Sequence, residues 1–127
     1  MSTQTSITTM HAEHTEWLNK LLFYKDDLKI MQHRLEEVAA KNNFKECLIQ
    51  VEHFQNQFKI QNEQIDILKH EIEQDESLIE KSINDNPIAS DHRKLQDNGS
   101  LRDGMQRFEE LFAAMRKELM TFLSKWM

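Results

Sequence analysis

Apolar residues recur along this chain in alternating steps of three and four positions, and they form three separate runs. The runs cover residues 10–38, 44–79 and 101–126. Such spacing keeps one face of an α-helix turned toward a partner helix, as in coiled coils and helical bundles. We call the apolar row of each run its seam. The pattern predicts three amphipathic helices that pack along their seams.

The breaks between the runs predict how these helices are connected. The break at Lys41-Asn42-Asn43 is too short for anything but a reversal, and Asn43 followed by Glu46 resembles an N-terminal capping box. Asn84-Asp85-Asn86-Pro87 ends the second run, because proline lacks the amide donor that a helix needs. Short connections make consecutive helices antiparallel neighbours. We therefore predict an all-α, antiparallel up-down-up three-helix bundle whose third element is broken near Asn98-Gly99.

The expected organisation is a tail followed by one helical domain. Residues 1–7 are polar and rich in Ser and Thr, and we expect them to be disordered. A single bundle domain is expected over residues 8–127. Its helices are predicted at about residues 8–40, 43–82, 88–97 and 100–126, and the third of these is short.

Composition narrows the classes of function. The formal net charge of −6 disfavours nonspecific nucleic-acid binding, which needs clustered Lys and Arg. No apolar run approaches the roughly 20 residues needed to span a bilayer. The single Cys47 excludes an internal disulfide, and the N-terminus lacks the pattern of a signal peptide. We expect a soluble, cytoplasmic protein.

Catalytic motifs are missing from the sequence. No Ser or Cys has a base at helical spacing, and no glycine-rich phosphate loop occurs. Cys47 falls on a seam, where a thiol acts as a small apolar filler. We predict that the protein is not an enzyme and needs no cofactor.

Two polar residues interrupt the seams at what we predict to be the same level along the bundle axis. A turn centred near residue 42 places Gln61 beside Tyr24, and a buried amide without a partner costs roughly 1–3 kcal/mol. We therefore predict a hydrogen bond between the Gln61 amide and the Tyr24 hydroxyl. The same levels place Val38, Phe44 and Trp126 together, so that Trp126 closes one end of the bundle.

Histidines and carboxylates concentrate near the opposite end. His11 and His14 are three residues apart, and His70 and Asp75 are expected close by, with His92 as a further candidate. Imidazole and carboxylate ligands bind zinc or iron. However, the Glu-x-x-His pattern of di-iron bundles is absent. A metal site of His11, His14, His70 and Asp75 is one hypothesis, and ordinary surface and core histidines are the other.

Further apolar residues lie off the seams. Phe23 and Ile30 are seven residues apart in the first helix, and Ile60 and Ile67 are seven apart in the second. They either widen the core or form a second apolar strip that binds another helix. Our main hypothesis is a protein that acts through protein–protein contacts made by these four residues. The partner would be a second copy or another helical protein.

The C-terminal helix permits a further alternative. Its apolar face and basic residues are compatible with a membrane surface, but its acidic residues nearly cancel that charge. Packing in the core is therefore the expected role of this face, and peripheral membrane association is the alternative.

Overall fold

The computed structural model describes residues 4–85, 94–96 and 99–127. In chain order these residues form β1 (Gln4–Ser6), α1 (Ile7–Lys41), α2 (Lys45–Asp85), β2 (Lys94–Gln96) and α3 (Gly99–Trp126). The three helices pack against one another around a shared core. The predicted all-α, up-down-up three-helix bundle is confirmed.

Each helix buries most of the seam that the spacing of its apolar residues predicted. Phe44, the first residue of the second seam, is an exception: it precedes α2 and is 66 % exposed. Phe112 and Leu119 of α3 and Leu35 of α1 are at most 1 % exposed. Cys47 is fully buried as well, and burial raises the pKa of its thiol. The thiol therefore stays protonated and fills space in the core, as predicted.

Asn42 and Trp126 close the end of the bundle where α1 meets α2. The Asn42 amide donates hydrogen bonds to the carbonyl oxygens of Val38 at 2.9 Å and Trp126 at 3.3 Å. The rings of Phe44 and Trp126 lie 5.8 Å apart. The predicted grouping of Val38, Phe44 and Trp126 is confirmed, and Asn42 is the residue that joins the end of α1 to the end of α3.

The predicted tail and short helix are wrong where the structure describes them. Residues 4–6 form a strand, and Ile7 is 4 % exposed and begins α1. Residues 94–96, predicted as the end of a helix over 88–97, form the strand that pairs with residues 4–6 in antiparallel fashion. Residues 86–93, which include His92, lie outside the described residues.

The strand pair has a cause that side-chain patterns do not reveal. The helices α1 and α3 run in the same direction, and the segments that lead into them therefore meet at one end of the bundle. Backbone hydrogen bonds between two such segments require no apolar periodicity. Ile7, Met10 and Ile79 form a small apolar cluster at this end.

The axial alignment of α1 and α2 also differs from the predicted one. We call this alignment, which decides which residues of the two helices lie side by side, their pairing level. Lys25 Nζ lies 2.7 Å from Asp66 Oδ1, nearly two helical turns further along α2 than a turn at residue 42 implies. One cause is the connection itself, because Asn42–Phe44 is centred one residue later. The other cause is that helical side chains lean toward the N-terminus of their own helix, which offsets the contacts of an antiparallel pair.

Candidate functional site

A histidine–carboxylate cluster joins α1 to α2. Glu76 accepts hydrogen bonds from His11 Nδ1 at 2.6 Å and from His14 Nδ1 at 2.8 Å. His14 Nε2 lies 3.7 Å from Asp75 Oδ2. The His14 side chain is only 3 % exposed, whereas that of His11 is 62 % exposed. Because a carboxylate only accepts, both Nδ1 atoms carry a hydrogen, and the cluster ties the two helices together.

The predicted metal site is assembled only in part. The structure brings His11, His14 and Asp75 together but leaves His70 exposed on the outside of α2. The shifted pairing level places Glu76, rather than His70, opposite the two α1 histidines. Within the described part of the chain, no group of three or more His, Cys, Asp or Glu side chains is arranged to hold a metal ion.

The hydroxyl of Tyr24 binds a different partner from the predicted one. Tyr24 Oη donates to Glu109 Oε2 of α3 at 2.8 Å, and the Tyr24 ring lies 5.4 Å from Phe108 and 4.6 Å from Phe112. The predicted bond to Gln61 is therefore wrong. Burial, the hydrogen bond to Glu109 and the negative charge of Glu109 together raise the pKa of Tyr24 to about 12.

The ionisation of Tyr24 offers a direct test of this contact. Because Tyr24 is the single tyrosine of the chain, the tyrosinate absorbance should report a midpoint at about pH 12 rather than 10.0. The unfolded chain releases this proton at lower pH than the folded protein does. The stabilising contribution of the protonated Tyr24 should therefore be complete and independent of pH below pH 10.0, and it should be lost as the pH rises toward about 12.

Glu109→Gln is the control for this prediction, because it removes the negative charge and should lower the midpoint. A wild-type midpoint at 10.0 would contradict the contact.

Gln61 is left without its predicted partner. Its side chain is 5 % exposed, and Oε1 accepts no hydrogen bond from the described residues. The pairing level of α1 and α2 separates Gln61 from Tyr24 along the bundle, and the Tyr24 ring packs on Phe108 and Phe112 of α3 instead. Gln61 is thus a buried polar residue in an apolar seam.

The four apolar residues off the seams belong to the surface. Phe23 is 65 % exposed, Ile30 58 %, Ile60 49 % and Ile67 48 %. These exposures exclude the alternative that the four residues widen the core. They are available for contact with another molecule.

The exposed pair Phe23 and Ile30 of α1 and the exposed pair Ile60 and Ile67 of α2 lie on different sides of the bundle. On α1, the row Glu13, Lys20 and Asp27 faces α3, where it pairs with Arg102, Glu109 and Arg116 respectively. Phe23 and Ile30 each follow a member of this row by three positions. They therefore lie next to the row on the outer surface between α1 and α3, which we call the α1–α3 flank.

Ile60 and Ile67 lie on the opposite flank. Glu46 is fourteen positions before Ile60 on the same row of α2, and it approaches Lys125 of α3 at 3.9 Å. The row therefore borders α3 from the other side. We call this outer surface the α2–α3 flank. The predicted single strip of four residues is wrong, because α3 separates the two pairs.

A residue that sequence reasoning missed completes the α2–α3 flank. Leu111 of α3 is 55 % exposed. It lies on one row with Gly104, where a Cβ would lie 3.5 Å from Leu68 of α2, and with Lys125, which approaches Glu46. Gly104, Leu111 and Lys125 are separated by seven and fourteen positions, and this spacing was the signal available in the sequence.

The apolar face of α3 is occupied within the bundle. Its seam is buried against the other two helices: Leu101, Met105, Phe108, Phe112, Met115, Leu119 and Phe122. Core packing of this face is confirmed. None of the described helices combines the length and hydropathy required to cross a bilayer.

A comparison with protein-family models, curated proteins and solved structures finds no match to this chain.

Proposed function

We propose that this protein is a non-enzymatic helical bundle that acts through protein–protein contacts and associates with itself. The observation that supports this most strongly is the centre of the α2–α3 flank. Ile60, Ile67 and Leu111 are 48–55 % exposed there.

Gln57 and Gln64 lie on the neighbouring row of α2, between the row of the isoleucines and α3. The side chains between the isoleucines and α3 are uncharged in a chain with 30 % charged residues, whereas the exposed Glu63 borders the isoleucines on their other side. The uncharged part of the flank has the composition of an interface core.

The α1–α3 flank is a weaker candidate for the same role. Its ion pairs include Arg102–Glu13 at 2.8 Å and Arg116–Asp27 at 3.0 Å. A partner that covered Phe23 and Ile30 would also remove water from these charges, which is costly unless the partner compensates them. We therefore assign the contact to the α2–α3 flank.

Light scattering on a sizing column tests this proposal. We expect the untagged protein to have a molar mass near twice 15.2 kDa. The double substitution Ile60→Asp with Ile67→Asp should reduce the mass to that of one chain, because each copy would have to bury two carboxylates in the contact. Helicity measured by circular dichroism should not change, since both side chains are exposed.

The matched control is Phe23→Asp with Ile30→Asp on the α1–α3 flank. It introduces the same two charges at the same seven-residue spacing, and we expect it to leave the dimer intact. If the control dissociates the dimer and the α2 variant does not, the contact lies on the α1–α3 flank. A wild-type monomer at all concentrations would refute self-association.

A further inference from the structure

The row of α2 that borders the α2–α3 flank carries opposite charges at its two ends. At seven-residue steps it reads Glu46, His53, Ile60, Ile67, Gln74 and Lys81. Glu46 is 73 % exposed, and Lys81 is exposed as well. The row therefore has an apolar centre, an acidic end and a basic end.

This arrangement distinguishes between the two ways in which a second copy could align. In a parallel pair, each Glu46 would face Glu46 of the second copy and each Lys81 would face Lys81, so both ends would repel. In an antiparallel pair, with Ile60 opposite Ile67 of the second copy, Glu46 lies opposite Lys81. A twofold axis near Gln64 produces this favourable contact at both ends.

We infer that two copies of this chain pair antiparallel along this row of α2. The inference rests on the proposed self-association through the α2–α3 flank and adds the direction of the pair and its register. The isoleucines supply the apolar contact, and the two Glu46–Lys81 pairs select the antiparallel alignment over the parallel one. Complementary end charges around an apolar centre fit a second copy of the same surface.

Charge reversal tests the direction and register. Glu46→Lys places Lys opposite Lys at both ends, and Lys81→Glu places Glu opposite Glu. Each single variant should weaken dimerisation by about tenfold at low ionic strength, because two attractions become two repulsions. The double variant restores opposite charges, and its dissociation constant should return to within about threefold of the wild-type value. Sedimentation equilibrium measures the dissociation constants of the wild type, the two single variants and the double variant.

Rescue in the double variant is specific to contact between copies. Residues 46 and 81 are about 50 Å apart along one helix, so they cannot compensate each other within a chain. The ion pair of Glu46 with Lys125 is lost in the double variant as in Glu46→Lys, so this loss cannot produce rescue. Glu52→Lys is the control, because residue 52 is exposed on the row of α2 that contains Asp66 and faces α1.

The outcomes separate this inference from the proposed function. Weakening in both single variants with rescue in the double supports the antiparallel pair. If the wild type dimerises but the single variants behave like Glu52→Lys, the antiparallel α2 pair is refuted and self-association stands. Weakening without rescue also refutes the register. A wild-type monomer overturns both.

Discussion

Replacing Phe112 with alanine is expected to lower the free energy of unfolding by about 3–5 kcal/mol. Phe112 is 1 % exposed, and its ring lies 4.6 Å from Tyr24 and 5.7 Å from Phe108. The substitution removes these contacts and leaves a cavity that helices fixed by other seam residues cannot close. Chemical denaturation followed by circular dichroism measures the loss.

The adjacent residue provides the control for this prediction. Leu111 is 55 % exposed, and Leu111→Ala should change the stability of the monomer by no more than about 0.5 kcal/mol. The comparison is made at concentrations where the protein is monomeric, because Leu111 also belongs to the α2–α3 flank. Equal losses at positions 111 and 112 would mean that α3 is rotated relative to the described core.

Replacing Gln61 with leucine should have the opposite sign and raise the free energy of unfolding by about 1–3 kcal/mol. The Gln61 side chain is 5 % exposed, and its Oε1 accepts no hydrogen bond from the described residues. Leucine has a similar volume, so the substitution removes an unsatisfied polar group without leaving a large cavity. Denaturant midpoints of the two proteins provide the test.

Gln64→Leu is the matched control for Gln61→Leu. Residue 64 lies three positions further along α2 but is exposed, so the control should remain within about 0.5 kcal/mol of the wild type at concentrations where the protein is monomeric. The monomeric condition is needed because Gln64 also belongs to the α2–α3 flank. A clear destabilisation by Gln61→Leu would show that the Gln61 amide is hydrogen-bonded in solution. A changed molar mass would instead identify Gln61 as a residue that fixes how the helices associate.

Much of the fold could be predicted from periodicity because burial acts on every turn of a helix. Residues such as Leu35, Ile65 and Leu119 recur at the spacing of one helical face, and each is at most 1 % exposed. The strands β1 and β2 could not be predicted in this way. They depend on backbone hydrogen bonds between segments that are about ninety positions apart in the chain.

The candidate site could be predicted less well because it depends on which residues meet between helices. The sequence identified His11, His14 and Asp75, and the structure brings them together. The sequence pattern indicated His70 instead of Glu76, because an error of nearly two turns in the α1–α2 pairing level exchanges one polar partner for another. Apolar seams tolerate such an error, since every level offers another apolar residue. A hydrogen bond does not, because it needs one donor and one acceptor at one distance.

By itself, the sequence determined that this protein is a bundle of three helices, which residues its seams bury, and that Phe23, Ile30, Ile60 and Ile67 lie off those seams. These properties follow from helical periodicity, which is local. Only the tertiary structure decided that Tyr24 binds Glu109, that Glu76 joins His11 to His14, and that α3 divides the exposed apolar residues between two flanks. Those properties depend on the pairing level and the rotation of one helix against another, and a single-chain pattern does not contain either quantity.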